Sequence, residues 1–318
     1  MIVIVGVIIY TFRDSAGPII KELKETTPAV VAGICVMATV YQIIEGLITT
    51  MLAKQYNPSF TMGAGLSNSF FCSFYRVATL GSGAGIAAII YLGRHDVEYS
   101  KGFGLYMLQY ALHKFSIACY SMILFVLNWD FMCRYFADYM WLLAAGYLLT
   151  LVITTGLILC CCSSRAHKWV LGLLGFFNKK IGGKISDFVE NMRWQCQMLE
   201  DASKYLLRKR AMVAEIILLN LLKFCFWYGI PYLIFAGEKG VTMSQTMAVT
   251  SLSVMLAAVM PAPAGIGTTE FVFTSLFSDI VGMGSAGSAA LLYRFGTFVF
   301  PFLVGAVIVA AMRIHRKV

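Results

Sequence analysis

The sequence predicts an all-α polytopic membrane protein with about six spans, two re-entrant broken-helix hairpins arranged as an inverted repeat, and a cytoplasmic amphipathic helix. Three observations predict it. Of the 318 residues, 59% are hydrophobic and 13% charged, about half the charged share of a soluble domain. Long apolar runs are interrupted twice by small, helix-breaking residues, at 79–85 and at 260–270. Between the interrupted halves lies a strongly basic stretch, residues 163–210. Mean hydropathy is +0.77, the formal net charge +9 and the pI about 9.1. In an apolar chain such a charge points to cytoplasmic loops and anionic headgroups. No nucleic-acid module is visible, and the nine cysteines have no metal-site spacing, so no nucleic acid and no cofactor are expected.

In order, residues 1–12 are apolar but reach only about 18 Å as helix, short of a span. They form either a partial helix or the end of a first span that starts earlier. The polar stretch 13–28 follows, and 29–53 forms a full span with Gln42 and Glu45 near its middle. A carboxylate at that depth is either a functional group or one neutralised by a proton or a neighbouring helix. Residues 61–92 are rich in small and polar side chains, carry Arg76, and read as two half-helices meeting at Thr79-Leu-Gly-Ser-Gly-Ala-Gly85. The next span, 101–127, contains Gln109, His113 and Lys114. His113 reads as a packing or hydrogen-bonding residue before a proton carrier. A turn at 128–134 leads to the plain span 139–162, which ends in Cys160, Cys161 and Cys162; these read as small hydrophobes, with lipidation as the second reading.

Residues 163–210 hold ten Lys or Arg against four acids, with apolar residues from Ile185 to Leu206 at helical spacing. That pattern predicts a basic amphipathic helix on the membrane surface. Residues 211–236 form a span holding Glu215, Asn220 and Lys223. Residues 242–260 carry a polar stripe and run into Pro261-Ala-Pro-Ala-Gly-Ile-Gly267. Pro261 and Pro263 should stop the helix, Gly265 and Gly267 allow a reversal, and Thr268 or Thr269 should cap a new helix carrying Glu270. Such a break survives in hydrocarbon only where it is buried or lines a wet cavity. The alternative is a surface loop with Glu270 in water. The last span, 284–312, contains Tyr293, Arg294 and Pro301.

Positive charge places 163–210 and the basic tail in the cytoplasm, and both termini with them. The segment 61–92 then enters from the cytoplasm and 242–281 from outside. The units 29–127 and 211–313 become inverted copies within a single membrane domain, 1–318.

The residues also resemble a known family. Glu45-Gly46, the run from Thr79 to Gly85, Pro261 to Gly267 with Glu270, and Tyr293-Arg294 together resemble the transmembrane flippase domain of the lysylphosphatidylglycerol synthase family (multiple peptide resistance factor). The similarity runs from about residue 29 onward, and its most specific piece is Pro-x-Pro-x-Gly-x-Gly-x-x-Glu. The resemblance implies movement of an aminoacylated or other phospholipid between plasma-membrane leaflets and resistance to cationic antimicrobial peptides. The family's lysyltransferase activity resides in a separate soluble domain, so this chain is expected not to be an enzyme. Leu80 and the run Gly83-Ala84-Gly85-Ile86 depart from the family's usual first break, and Ala264 from its second, removing a polar contact.

The expected site is a cavity between the repeats. Thr79, Gly83, Gly85, Pro261, Pro263, Gly265, Gly267 and Thr268 would shape its two half-helix termini, whose N–H groups face a phosphate. Arg76 and Arg294, with Tyr293 beside the latter, would bind the phosphate; Glu45 and Glu270 would take an amine or a proton. Alternatively these four charged residues form two ion pairs that hold helices together. Rival functions are an ion-coupled carrier of a small anionic solute, and a membrane partner of a separate synthase. A membrane enzyme is disfavoured because no His/Asp/Glu cluster is visible. A second copy of the chain is the remaining partner expectation.

Overall fold

The computed structural model describes residues 24–163, 204–235, 240–260 and 265–314, with the single positions Gly172, Glu190, Arg193, Glu200 and Ala262. The expected partial helix at 1–12, most of the basic segment 163–210, and Pro261 and Pro263 lie outside the described residues.

Each helix begins and ends on recognisable local chemistry. Helix α1 (Pro28–Ala53) opens with proline at its first position, where the missing N–H has no helical acceptor anyway. Its only charged residue is Glu45. Helix α2 (Met62–Ala78) is capped by the Thr61 hydroxyl, which accepts the Ala64 N–H at 3.2 Å. It stops at a turn in which Leu80 and Gly81 take φ of 53° and 102°, and α3 (Ala84–Gly93) restarts from Gly83. Helix α4 (Tyr99–Leu127) follows, then α5 (Trp129–Phe136), a 3-10 turn at Ala137–Tyr139, and α6 (Met140–Cys162). The turn expected at 128–134 is therefore a short helix, because Met132 and Phe136 fall on one face and bury completely in the core.

In the second half, α7 (Arg210–Ile234) leads to α8 (Met243–Val259), whose Thr242 and Gln245 form a reciprocal capping box. The chain breaks at 260–267 and restarts as α9 (Thr268–Val281) and α10 (Met283–Arg294). A π-helical turn, Phe295–Val299, links α10 to α11 (Phe300–Ile314), so the last span is not a uniform α-helix. Pro301 accounts for the widening, since its ring and missing N–H forbid a regular turn against Thr297.

Five stretches are long and apolar enough to cross a membrane: Pro28–Ala53, Tyr99–Leu127, Trp129–Gly156, Arg210–Ile234 and Met283–Ile314. Among the described residues there is no strand. Large apolar side chains such as Trp141, Leu148, Val152 and Ile153 on α6 point outward. An apolar outer surface over polar interior side chains is what a lipid solvent demands. The protein is a multi-pass helical membrane protein.

The two halves contact each other reciprocally. Helices α1 and α7 pack together, α4 lies on α8, and α11 lies on α2. A close crossing joins α1 to α2, where a Cβ on Gly65 would meet the Gly46 carbonyl oxygen at 2.3 Å, and one on Gly46 the Leu66 backbone at 2.7 Å. Two facing glycines let these helices approach to backbone contact, which sets Glu45 beside α2.

Candidate functional site

Polar side chains at helical spacing on three helices converge on one space. On α1 they are Tyr41, Gln42, Glu45 and Thr49; on α2, Asn68, Ser69, Cys72, Ser73 and Arg76; on α4, Tyr106, Gln109, Tyr110, His113 and Lys114. These side chains line a cavity of about 620 Å³, within the range of small-molecule sites. Both helix breaks reach it, the first through Leu80, Gly81 and Ala84 and the second through Met260, Ala262, Gly265 and Thr269.

Glu45 sits in a built network. One carboxylate oxygen pairs with the Lys223 ammonium from α7, whose side chain is 0% exposed. The other accepts the Gln109 amide at 2.8 Å, and Gln109 is held in turn by Thr49 at 3.1 Å. Lys223 also lies 5.3 Å from the centre of the Tyr41 ring and 5.4 Å from that of Phe224. The buried Lys223 ammonium and the part-buried Glu45 carboxylate persist together because each compensates the other's desolvation. Nearby, the Gln42 amide donates to Ser73 at 3.2 Å and the Ser69 hydroxyl to the Gln42 carbonyl at 3.1 Å, tying α1 to α2.

The cavity's remaining cations are not neutralised. Neither Arg76 nor Lys114 has a carboxylate partner among the described residues, and Lys114 stands 5.5 Å over the Tyr110 ring. Glu45 is the carboxylate that lines the cavity.

The expected site residues separate into two groups. Glu45, Arg76 and Gly265 line the cavity. Thr79 knits the first turn: its hydroxyl donates to the Tyr75 carbonyl at 2.6 Å and accepts the Gly83 N–H at 2.7 Å. Gly85 lies against Tyr106, whose ring a Cβ would meet at 2.8 Å. Glu270 and Arg294 pair with each other instead of facing the cavity, with Arg294 Nε donating at 2.9 Å. The second Glu270 oxygen accepts the Gly267 N–H at 2.8 Å, and Arg294 stacks 4.2 Å over Phe298. The cap of α9 is thus Gly267 with the Glu270 carboxylate; Thr268 and Thr269 lie inside the first turn. The left-handed φ of Gly267, 84°, turns its N–H back toward the carboxylate. Tyr293 is buried in the core and stacks on Phe273 at 5.4 Å.

Sequence reasoning assigned no site role to Gln109, Lys114 or Lys223. A signal was present for the first two: Tyr106, Gln109, Tyr110, His113 and Lys114 repeat every three or four residues, a polar stripe along an otherwise apolar helix. Lys223 had only Asn220, three residues before it, at that spacing, and its partner lies 178 residues away.

The family described as "Lysylphosphatidylglycerol synthase TM region" matches residues 1–305, nearly the whole chain. No curated protein matches the sequence at a significant level. With its helical multi-pass fold and a match of that extent, the chain belongs to the lysylphosphatidylglycerol synthase transmembrane family.

Proposed function

We propose that the protein is a flippase that carries the headgroup of a phospholipid through the cavity while the acyl tails remain in lipid. The lipid is lysyl-phosphatidylglycerol or a related anionic or aminoacylated phospholipid, and its movement contributes to resistance to cationic antimicrobial peptides. The observation that carries this reading is the polar cavity, lined by both helix breaks and holding two cations, Arg76 and Lys114, that have no carboxylate partner among the described residues. A headgroup crossing hydrocarbon needs such a replacement for water. The units 29–127 and 211–313 act as an inverted repeat, and the breaks at 79–83 and 260–267 are re-entrant. The reciprocal packing of α4 on α8 and α11 on α2 supports this arrangement, which suits alternating access. The protein works in the plasma membrane with both termini cytoplasmic, and it does not aminoacylate lipid itself. A separate synthase would supply an aminoacylated substrate.

A second reading is supported by the same cations: Arg76 and Lys114 would recognise the phosphate of a small soluble anion equally well. Reconstitution separates the two. Proteoliposomes containing lipids labelled on the acyl chain are exposed to a membrane-impermeant reductant that destroys outer-leaflet fluorescence. A flippase accelerates loss of the protected inner half, and Arg76→Ala slows it while the purified variant still unfolds at the wild-type temperature. Uptake of a soluble phosphate ester with no lipid acceleration would replace the flippase reading by the carrier reading.

A further inference from the structure

The groups that offset an ammonium's charge in a protein interior are carboxylates and aromatic faces. In this cavity its own amines already occupy the Glu45 carboxylate and the Tyr41 and Tyr110 rings, leaving the Tyr106 ring as the aromatic face without one among the described residues. The lining carboxylate, Glu45, gives one oxygen to Lys223 and the other to Gln109. The Tyr41 ring carries Lys223 and the Tyr110 ring carries Lys114. Glu270 faces Arg294 and the Gly267 N–H, outside the lining. The means of binding an anion remain open: the Arg76 guanidinium and the Lys114 ammonium line the space without a carboxylate of their own among the described residues. Counting Lys223 behind Glu45, three cations stand against one carboxylate among the described residues. An entering ammonium would meet two uncompensated positive charges in a poorly screened interior; an entering phosphate would neutralise them.

We propose that the cavity selects a phosphate-bearing head that carries no ammonium, with Arg76 and Lys114 as its anion-binding pair. The inference rests on the flippase reading for its lipid form, and it narrows the substrate class from anionic or aminoacylated lipids to anionic ones. Guanidinium offers a bidentate fork to two phosphate oxygens, and Lys114 adds a point charge from the facing helix α4. The Glu45–Lys223 pair acts as a fixed wall that denies the carboxylate to a substrate amine. The phosphate itself belongs to a lipid head or to a soluble ester, and the assay's arms tell these apart.

The full chain is reconstituted with acyl-labelled phosphatidylglycerol, phosphatidylcholine or lysyl-phosphatidylglycerol, which carry net negative, zero and net positive heads. Wild type is expected to accelerate phosphatidylglycerol at least about tenfold more than its lysyl ester, the scale of one charged hydrogen bond. Lys114→Glu should erase or reverse that order, whereas Lys114→Arg and Arg76→Lys, which keep the charge, should preserve it. Thermal unfolding in detergent establishes that each variant is folded. Movement of the lysyl ester as fast as phosphatidylglycerol, or faster, overturns the inference and leaves the flippase reading standing. In the soluble arm, glycerol 1-phosphate is tested for stabilisation of wild type against Lys114→Glu. Stabilisation of wild type alone, with no lipid moved, supports the anion pair and overturns the lipid reading. No stabilisation and no lipid movement overturns both.

Discussion

The two helix breaks solve the same backbone problem with opposite electrostatics. The first, at 79–83, is closed by a neutral hydroxyl: Thr79 bonds the Tyr75 carbonyl and the Gly83 N–H. It leaves the nearby Arg76 without a carboxylate, beside a cavity that also holds Lys114. The second, at 260–267, is closed by a charge. Glu270 accepts the Gly267 N–H, and Arg294 neutralises it. A break whose charges are mutually satisfied is a framework element; a break beside unsatisfied charge is where a ligand gains most. The comparison teaches that the arginines near two helix breaks, Arg76 and Arg294, need not share a role.

The largest expected effect is at the Glu45–Lys223 pair, beside the cavity that the first break also lines. Lys223→Met leaves Glu45, whose side chain is 24% exposed toward the cavity, without its cation and should lower stability by about 3 kcal/mol, the low end for a buried pair. The double variant Glu45→Leu with Lys223→Met should recover much of that loss in thermal unfolding. If the single variant were as stable as wild type, Glu45 would not be held by Lys223, and its carboxylate would be free for a substrate.

At the second break, Glu270→Gln and Arg294→Ala should each cost about 1–3 kcal/mol through loss of a charge-assisted hydrogen bond. Their double-mutant cycle should show coupling, because both remove the same contact. Transport per folded molecule should fall less than with Arg76→Ala. A greater loss of transport with folded Arg294→Ala would erase the distinction between the breaks.

Thr79→Val, which keeps the shape and removes the hydroxyl, should cost about 0.5–1.5 kcal/mol and loosen the first turn. Amide hydrogen exchange at Gly83 should rise, while exchange at Gly267 stays as in wild type.

The smallest effect is expected at Glu98, just before α4. The Ser100 hydroxyl, and then Lys101, hold its carboxyl below the usual carboxylate range. Any stabilisation it gives is present above the ordinary carboxylate pKa and fades as pH falls through the lowered one. The side chain is fully exposed, so solvent screens it, and Glu98→Gln should leave the pH dependence of unfolding unchanged within error.

Much of the fold was legible because its causes are local. The apolar runs around Glu45 and Pro301 and the glycines from 81 to 85 each act on the backbone within a turn of themselves. The helix at Trp129–Phe136 was read as a turn because Met132 and Phe136 alone are too short a pattern without a core to receive them. The capping role of Glu270 was missed in favour of its threonine neighbours because side-chain preference was weighed without the geometry of a left-handed Gly267.

By itself the sequence determined a helical membrane chain, its span lengths, its two interruptions and the residue types available for a polar site. These follow from hydrogen-bond accounting and apolar length, which depend on neighbours along the chain. Only the tertiary structure decided which charges are paired. Glu45 took Lys223 from α7 and Glu270 took Arg294 from α10, while Arg76 and Lys114 were left facing a cavity. Pairing depends on where helices cross, and the crossing of α1 with α2 is set by glycines at 46 and 65 on different helices.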